Sequence, residues 1–506
     1  MPPRHIDGLQ SGDRIVICGA GPAGLTAAYL LGKAGHPVTV LEADRLVGGL
    51  ARTVEHRGYR FDVGGHRFFT QIPVVQALWE EFLGDEMIDV PRLSRIYYKG
   101  RYFQYPLQLG DALAGLGPVE CARILLSYAR ARLFPAHPVE NFEQWVSNRF
   151  GRRLYRLFFK TYTEKVWGIP CTEIRAEWAA QRIQGLSLMR ALLSATPLNR
   201  RSSGIKTLIN EFKYPRLGPG QMWEACRDRV VGQGGRILLE HRVTGLEMEH
   251  GRVRAMWART PDGDRRFEAE HFISTAPLPA LIRAAGEAAP PPVQVAARGL
   301  TFRDFIVVAL ILDRAELFPD NWLYIHSPEV RVGRVQNFNN WSAALVPDRG
   351  GTCLGMEYFC SREDDLWAMD DASLAAMARR ELAVLKLARG ASVVDTVVVR
   401  VPDAYPVYDS TYRGHLEVVR RYLDPIANLH TVGRNGMHKY NNQDHSMYAA
   451  MLTVANLHGE THDVWAVNSD FEYHEADRVR TSAPMTPHPR REPAPSVPEG
   501  ATALPG

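Results

Sequence analysis

Residues 14–44 read RIVICGAGPAGLTAAYLLGKAGHPVTVLEAD, and the order of residue types in this stretch decides the fold. Arg14 to Cys18 is a short apolar run, Pro22 to Ala34 places small and apolar residues at helical spacing, and Pro37 to Leu41 reads as a second strand. Together they make one βαβ unit. Its turn, Gly19-Ala20-Gly21-Pro22-Ala23-Gly24, is a GxGxxG at the strand-to-helix junction that a dinucleotide site requires. Gly19 permits the tight turn, Gly21 lets the backbone approach a pyrophosphate, and Gly24 allows close helix packing. The pyrophosphate is expected on the N–H groups of the helix start. Glu42, closing the second strand, is placed to accept hydrogen bonds from an adenosine ribose, which argues for a ribose without a 2′-phosphate.

Just beyond this unit, Val47-Gly48-Gly49-Leu50 followed by Arg52-Thr53 brings a second glycine pair back towards the same cofactor. The arrangement resembles the GG motif of flavoproteins of the glutathione-reductase and amine-oxidase type, and it favours FAD over NAD. Phe61-Asp62-Val63-Gly64-Gly65-His66 then supplies a glycine loop carrying His66. Far along the chain, Gly433-Arg434-Asn435-Gly436 leads into Asn442-Gln443-Asp444-His445-Ser446 and a helical pattern from Asp444 to about Leu457. The start of that helix offers N–H donors and a positive dipole end to the N1/O2 edge of an anionic flavin, with Asp444 as its cap. No second GxGxxG stands between a strand and a helix, and Gly232-Gln233-Gly234-Gly235 reads as a turn. NAD(P)H would therefore act only as a transient reductant, without a Rossmann domain of its own.

The rest of the composition is ordinary. In 506 residues, 45% are hydrophobic and 23% charged, which excludes wholesale disorder and collagen-like classes. Sixty Lys and Arg against 56 Asp and Glu leave +4, too little for the broad positive field of a nucleic-acid binder. Only eight of those cations are Lys, a bias best read as codon usage. Six Cys with no CxxC pair indicate reduced thiols and neither a zinc nor a thioredoxin-type site. No apolar run reaches membrane-spanning length and no signal segment opens the chain, so a cytoplasmic enzyme is expected. A homo-oligomer is left open.

The expected fold is α/β: a Rossmann-type FAD-binding domain with an inserted helical domain and an antiparallel-sheet substrate domain. The FAD domain would be discontinuous, over residues 12–95, 201–300 and 425–475. A hairpin turning at Lys99-Gly100 and a helical zone, with Asn141 and Gln144 spaced as a capping box, fill 96–200. A sheet-rich zone fills 301–424, and residues 480–506, with seven Pro from Thr481 onward, read as a disordered tail.

Several separated blocks give this outline a family. DVGGH at 62–66, YKGRYFQYPLQ at 98–108, NFEQWV at 141–146, KVWGIPCTEI at 165–174, EWAAQR at 177–182, WLYI at 322–325 and GRNGMHKYNNQDHSM at 433–447 keep their order and spacing. In these blocks the chain resembles the UDP-galactopyranose mutases, particularly their eukaryotic-type branch, and more generally the amine-oxidase and protoporphyrinogen-oxidase type of flavoprotein. The resemblance implies a pyranose–furanose isomerase of a nucleotide sugar, acting through an adduct of the sugar on N5 of reduced FAD and serving cell-surface glycan synthesis. It implies that Tyr105 and Gln108 hold the uracil end, and that Arg182 and Arg334 grip the diphosphate. Tyr324, Tyr405 and Tyr440 would contact phosphates and sugar, His66 would lie against the flavin, and Asn442, Gln443 and Ser446 would cradle it.

The resemblance breaks at Trp341, where the fungal enzymes carry Tyr, and in a shorter loop between Tyr440 and Asn442. A hydroxyl and part of a wall near the sugar would be lost there, so another sugar or base is compatible with the pattern. The competing expectation is an FAD-dependent oxidoreductase of amine-oxidase type built on the same cofactor domain.

Overall fold

The computed structural model describes residues 6–105, 115–176, 211–347 and 350–468. The βαβ unit forms as its residue types dictate: a strand at Ile15–Cys18, a helix at Pro22–Lys33 with Pro at its first turn, and a strand at Val38–Leu41. These strands lie inside a five-stranded parallel sheet whose order brings together Leu429–Thr431, His271–Ser274, Ile15–Cys18, Val38–Leu41 and Arg236–Leu238. Three distant pieces of chain therefore build one Rossmann-type sheet. The strands Ile15–Cys18, His271–Ser274 and Leu429–Thr431 are buried along their whole length, and the helices Pro22–Lys33, Gly220–Gly232 and Gln443–Leu457 close one apolar cluster around Leu25, Trp223 and Met447.

The second sheet has seven strands in the order Val393–Pro406, Phe302–Leu312, Thr352–Cys360, Arg334–Asn337, Trp322–Ile325, Ser94–Tyr98 and Arg101–Gln104. Neighbours are antiparallel except for the parallel pair Trp322–Ile325 with Ser94–Tyr98. The run FRDFIVVALIL at 302–312 is the long inner strand of this sheet, nearly all buried, which is why it reads as continuously apolar from Phe305 to Leu312. The hairpin at Lys99-Gly100 turns with φ of 48° and 80°, and His250-Gly251 with 49° and 74°, the two left-handed positions of a type I′ turn. The first hairpin is the edge of the seven-stranded sheet, so strands from 94–104 and from 302–406 share one layer.

Against that edge sit the helices Pro118–Leu133, Phe142–Phe150 and Thr161–Trp167, whose core of Ile124, Phe142, Phe150 and Tyr155 packs on Ile96 and Phe103 of the hairpin. Asn141 caps the middle helix, accepting from the Gln144 N–H at 2.9 Å while the Gln144 side chain accepts from the Asn141 N–H, the predicted capping box. Among the described residues none of the six Cys is joined in a disulfide. Among the described residues no helix is long and apolar enough to cross a membrane.

Candidate active site

The glycine turn is shaped for the approach of another group. Gly19 has φ of +102°, and a Cβ there would stand 2.1 Å from the Thr275 hydroxyl. At Gly24 a Cβ would meet the Gly19 carbonyl oxygen at 1.9 Å, so the helix sits as close to the strand as glycine allows. Gly48 and Gly49 both hold positive φ, and a Cβ on Gly49 would come within 3.1 Å of the Gly21 Cα. The two glycine motifs thus meet face to face, with Leu50 directly after them and Gly48 donating to the Ala20 carbonyl at 2.8 Å. Glu42 is buried at the end of its strand, and its carboxylate accepts from the Ala20 N–H at 2.6 Å and the Asp44 N–H at 2.9 Å. Burial raises its pKa despite those donors.

At the other end of the cradle Gly433, φ +84°, brings the chain to 3.0 Å of Ala23, measured from a built Cβ. Arg434 is fixed by its own donors, Nε to the Asn441 carbonyl at 2.8 Å and Nη1 to the Ala404 carbonyl at 3.1 Å. The following helix begins at Gln443, one residue before the predicted start. Asn442 rather than Asp444 is therefore the N-cap residue, and its N–H meets His445 Nδ1 at 3.3 Å. Ser446 is buried in the first turn. Gln443 donates to the Arg67 carbonyl at 3.4 Å, and its buried Oε1 has no hydrogen-bond partner among the described residues. Left-handed glycines, backbone brought within contact, a buried acid at the strand end and an acceptor awaiting a donor at a helix start together fit FAD.

Between these parts lies the His66 loop. Asp62, fully buried, accepts from the Tyr214 hydroxyl and from Thr53 Oγ1, and burial holds its carboxyl up at about 8. Gly64 has φ +93° and its carbonyl meets His66 Nδ1 at 3.0 Å. Burial, with Arg434 and Arg334 nearby, lowers the His66 imidazole to about 4. Gly65 leans on the seven-stranded sheet, where a Cβ would stand 2.9 Å from Gln336 Nε2.

Gln336 begins a buried chain of contacts on the seven-stranded sheet. Its Nε2 donates to Glu357 Oε1 at 2.9 Å, and Glu357 Oε2 lies 2.7 Å from Arg334 Nε. Strand register places Arg334 opposite Glu357, so the pair follows from the sheet itself. Arg334 Nη2 then donates to the Tyr405 hydroxyl at 2.8 Å, with its guanidinium 4.9 Å from the Phe359 ring. Burial works against the Arg334 charge, but Glu357 and Tyr405 outweigh it and raise its pKa well above the usual range. Tyr405 stacks on Tyr440 at 5.7 Å, both beside the Arg434 guanidinium. Tyr324 stacks on Tyr105 at 4.2 Å and meets the edge of Tyr162.

The structure therefore brings His66, Arg334, Tyr405, Tyr440 and Arg434 into one neighbourhood, with Tyr324 and Tyr105, the latter just after the strand Arg101–Gln104, as a second aromatic pair. Gln108 and Arg182 lie outside the described residues, as does the Pro-rich tail. Trp341, where the resemblance breaks, is part of the core. It is buried behind Gly65, donating through Nε1 to the Asn321 carbonyl at 3.0 Å and stacking on Trp322 at 5.3 Å. A tyrosine hydroxyl is absent from the core there, where an indole N–H has its own partner.

Sequence reasoning missed Glu357, Gln336, Tyr162 and Lys165. Glu357 had a signal, a lone acid in the apolar strand TCLGMEYFC. Lys165 lies in one of the quoted blocks, and its Nζ donates to the carbonyls of Ser327 at 2.8 Å and Val332 at 3.2 Å, tying the helical layer to the loop between Tyr324 and Arg334. Burial lowers that ammonium to about 8.

The sequence profile of the family described as flavin containing amine oxidoreductase matches residues 22–441. An L-amino-acid oxidase of Crotalus adamanteus is 46% identical over 69 residues, which is 14% of this chain and only 13% of the oxidase. The structure of a reduced UDP-galactopyranose mutase superposes with a TM-score of 0.78 over 90% of this chain and 96% of its own, at 21% identity. A fatty acid isomerase from P. acnes that produces CLA superposes at 0.59 over 88% and 99%, at 15% identity. At these identities the structural likenesses bear on the fold alone.

Proposed function

The chain belongs to the flavin containing amine oxidoreductase family, and from that premise we propose that it is an FAD enzyme interconverting the pyranose and furanose rings of a nucleotide sugar. The observation that carries this reading is the Arg334 site. A guanidinium pinned through Nε to buried Glu357 and through Nη2 to Tyr405 keeps further N–H donors in a fixed plane, suited to a diphosphate. The Tyr105–Tyr324 stack offers flat apolar surface to a base next to that plane. A simple cationic amine would be repelled by such a guanidinium.

In this reading Arg334, with Arg182, holds the charge that develops on the departing diphosphate and keeps the leaving group in place for its return. Tyr405 and Tyr440 wall the sugar, and Tyr105 with Gln108 takes the base. His66, neutral at physiological pH, stands against the cofactor as a hydrogen-bonding group without charge. Gly19, Gly21, Gly24, Glu42, Gly48, Gly49, Leu50, Gly65, Gly433, Arg434, Asn442, Gln443 and Ser446 form the cofactor cradle. FAD, when bound, supplies the reactive ring system, a nucleophile when reduced and an electron acceptor when oxidised. NAD(P)H is the transient reductant that keeps it in the reduced form.

The test is anaerobic incubation of the dithionite-reduced protein with UDP-galactose, with chromatography for the furanose form. Furanose formation without net flavin oxidation, abolished in Arg334→Ala while the yellow FAD spectrum persists, is the expected result. The 69-residue match to an L-amino-acid oxidase favours a second reading, net oxidation of an amine or amino acid. Stoichiometric peroxide release from such a substrate, with no sugar turned over, would replace the first reading by the second.

A further inference from the structure

The helical layer carries a surface that neither the core nor the active site uses. Of the thirteen large apolar side chains exposed among the described residues, six fall between positions 119 and 139: Val119, Leu125, Leu126, Leu133, Phe134 and Val139. Along the helix Pro118–Leu133 only Ile124 is buried. The inner face is occupied, since Ile124 enters the helical core and Ser127 Oγ accepts from the Arg153 N–H at 3.0 Å. The opposite face shows Val119, Ala122, Leu126, Ala129 and Leu133, an exposed stripe at steps of three and four residues. Leu126, Leu133 and Phe134 are each more than 70% exposed, which a monomer in water does not require of three neighbouring residues.

Charge decides what covers this stripe. Exposed Arg123, Arg130 and Arg132 flank it. Residues 115–160 carry eight Lys or Arg against three Glu and no Asp, an excess larger than that of the whole chain. Two of the three acids are already engaged, Glu120 with Arg153 and Arg123, and Glu143 with Arg152. A two-fold pairing with a second copy through the stripe would bring the flanking Arg123 and Arg130 of the two chains together, which is repulsive. A negatively charged lipid surface accepts both features at once. Apolar side chains enter the acyl boundary while arginine stems extend sideways and keep their heads among the phosphates. We propose that the outer face of helix Pro118–Leu133, with Phe134 at its end, docks the enzyme in the plane of an anionic phospholipid membrane. The interaction is peripheral and does not depend on which reaction the active site performs.

Vesicle sedimentation with the full FAD-loaded chain tests this. The protein should pellet with phosphatidylcholine vesicles containing about 30 mol% phosphatidylglycerol, stay in solution with phosphatidylcholine alone, and be released by about 0.5 M NaCl. The pair Leu126→Glu/Leu133→Glu, at exposed positions, should keep its FAD absorbance and circular dichroism yet bind those vesicles at least roughly tenfold more weakly. Arg130→Gln/Arg132→Gln should weaken binding to anionic vesicles by a similar factor. Equal pelleting with both vesicle types, or unchanged binding of the leucine variant, overturns the proposal. So does a wild-type dimer in sedimentation equilibrium that the leucine variant converts to monomer without any vesicle binding, because the face would then belong to a second copy.

Discussion

Arg334 and Glu357 show how much a single buried pair can depend on its partner. Glu357 is fully buried, accepts from Gln336 and is ion-paired with Arg334, so removing its charge leaves the largely buried guanidinium without its anionic partner. Glu357→Gln should lower unfolding stability by about 3 kcal/mol, as breaking a buried ion pair does. A urea midpoint equal to that of the parent protein would show that the pair contributes nothing. His66 makes a second prediction, with the opposite charge logic. Burial and the neighbouring guanidiniums bring its pKa from 6.5 to about 4 in the folded protein. Between those values the unfolded chain binds the proton and the folded one does not, so the stability contributed by the neutral ring is complete above pH 6.5 and is lost as pH falls towards 4. His326 and His438, lowered by burial to about 3 and about 4, act in the same direction. His66→Gln should therefore flatten the fall in urea midpoint between pH 6.5 and 4 while leaving the slope above pH 7 unchanged; parallel curves for the two proteins would contradict the assigned environment. These residues differ in legibility. His66 was visible because it ends a glycine loop, whereas the service of Glu357 to both Arg334 and Gln336 depends on strand register, and nothing local in the sequence states which strand will lie alongside.

At the scale of elements, the glycine turn separates two jobs that the sequence motif presents together. Gly24, in the first turn of the helix Pro22–Lys33, faces the strand before it, where a Cβ would overlap the Gly19 carbonyl oxygen of the turn. Gly49 lies across the cradle, near Gly21, with φ +55°. Gly24→Ala should therefore destabilise the apoprotein by roughly 1–3 kcal/mol, the usual cost of overpacking, seen in a lowered apoprotein melting temperature. Gly49→Ala should leave most of the fold in place and reduce retention of FAD, measured as flavin per polypeptide after gel filtration. Equal melting temperatures for the two apoproteins would mean that the motif does not divide in this way. The βαβ unit, the Lys99-Gly100 hairpin and the capped helix after Asn141 could be read from sequence because each is specified by residues within a few positions of one another. The start of the last helix was read one residue late, because Asp444 and Asn442 are both good capping residues and the chain geometry before them chooses Asn442.

For the whole molecule, connectivity matters more than the division into zones. The parallel sheet takes strands from 15–41, 236–274 and 429–431, and the seven-stranded sheet takes strands from 94–104 and 302–406. The chain crosses between the two layers repeatedly, and a Cβ added at Gly65 would stand 2.9 Å from Gln336 Nε2, so the His66 loop lies directly on the strand Arg334–Asn337. Neither sheet is a contiguous segment, and the chain between the strands of each runs through the other, so the entropic cost of closing these long connections is best offset when both layers form together. Thermal unfolding of the FAD-loaded protein should then be a single transition, with far-ultraviolet circular dichroism and flavin fluorescence changing together, their midpoints within about 2 °C of each other. Ending the chain at Leu423 gives the sharper form of the same prediction. It removes the strand Leu429–Thr431 and the helix Gln443–Leu457, yet leaves all seven strands of the second sheet present in sequence. If the two layers are interlocked as their connectivity requires, the shortened chain loses cooperative unfolding altogether. A clean transition retained by the second sheet alone would show that the layers fold independently.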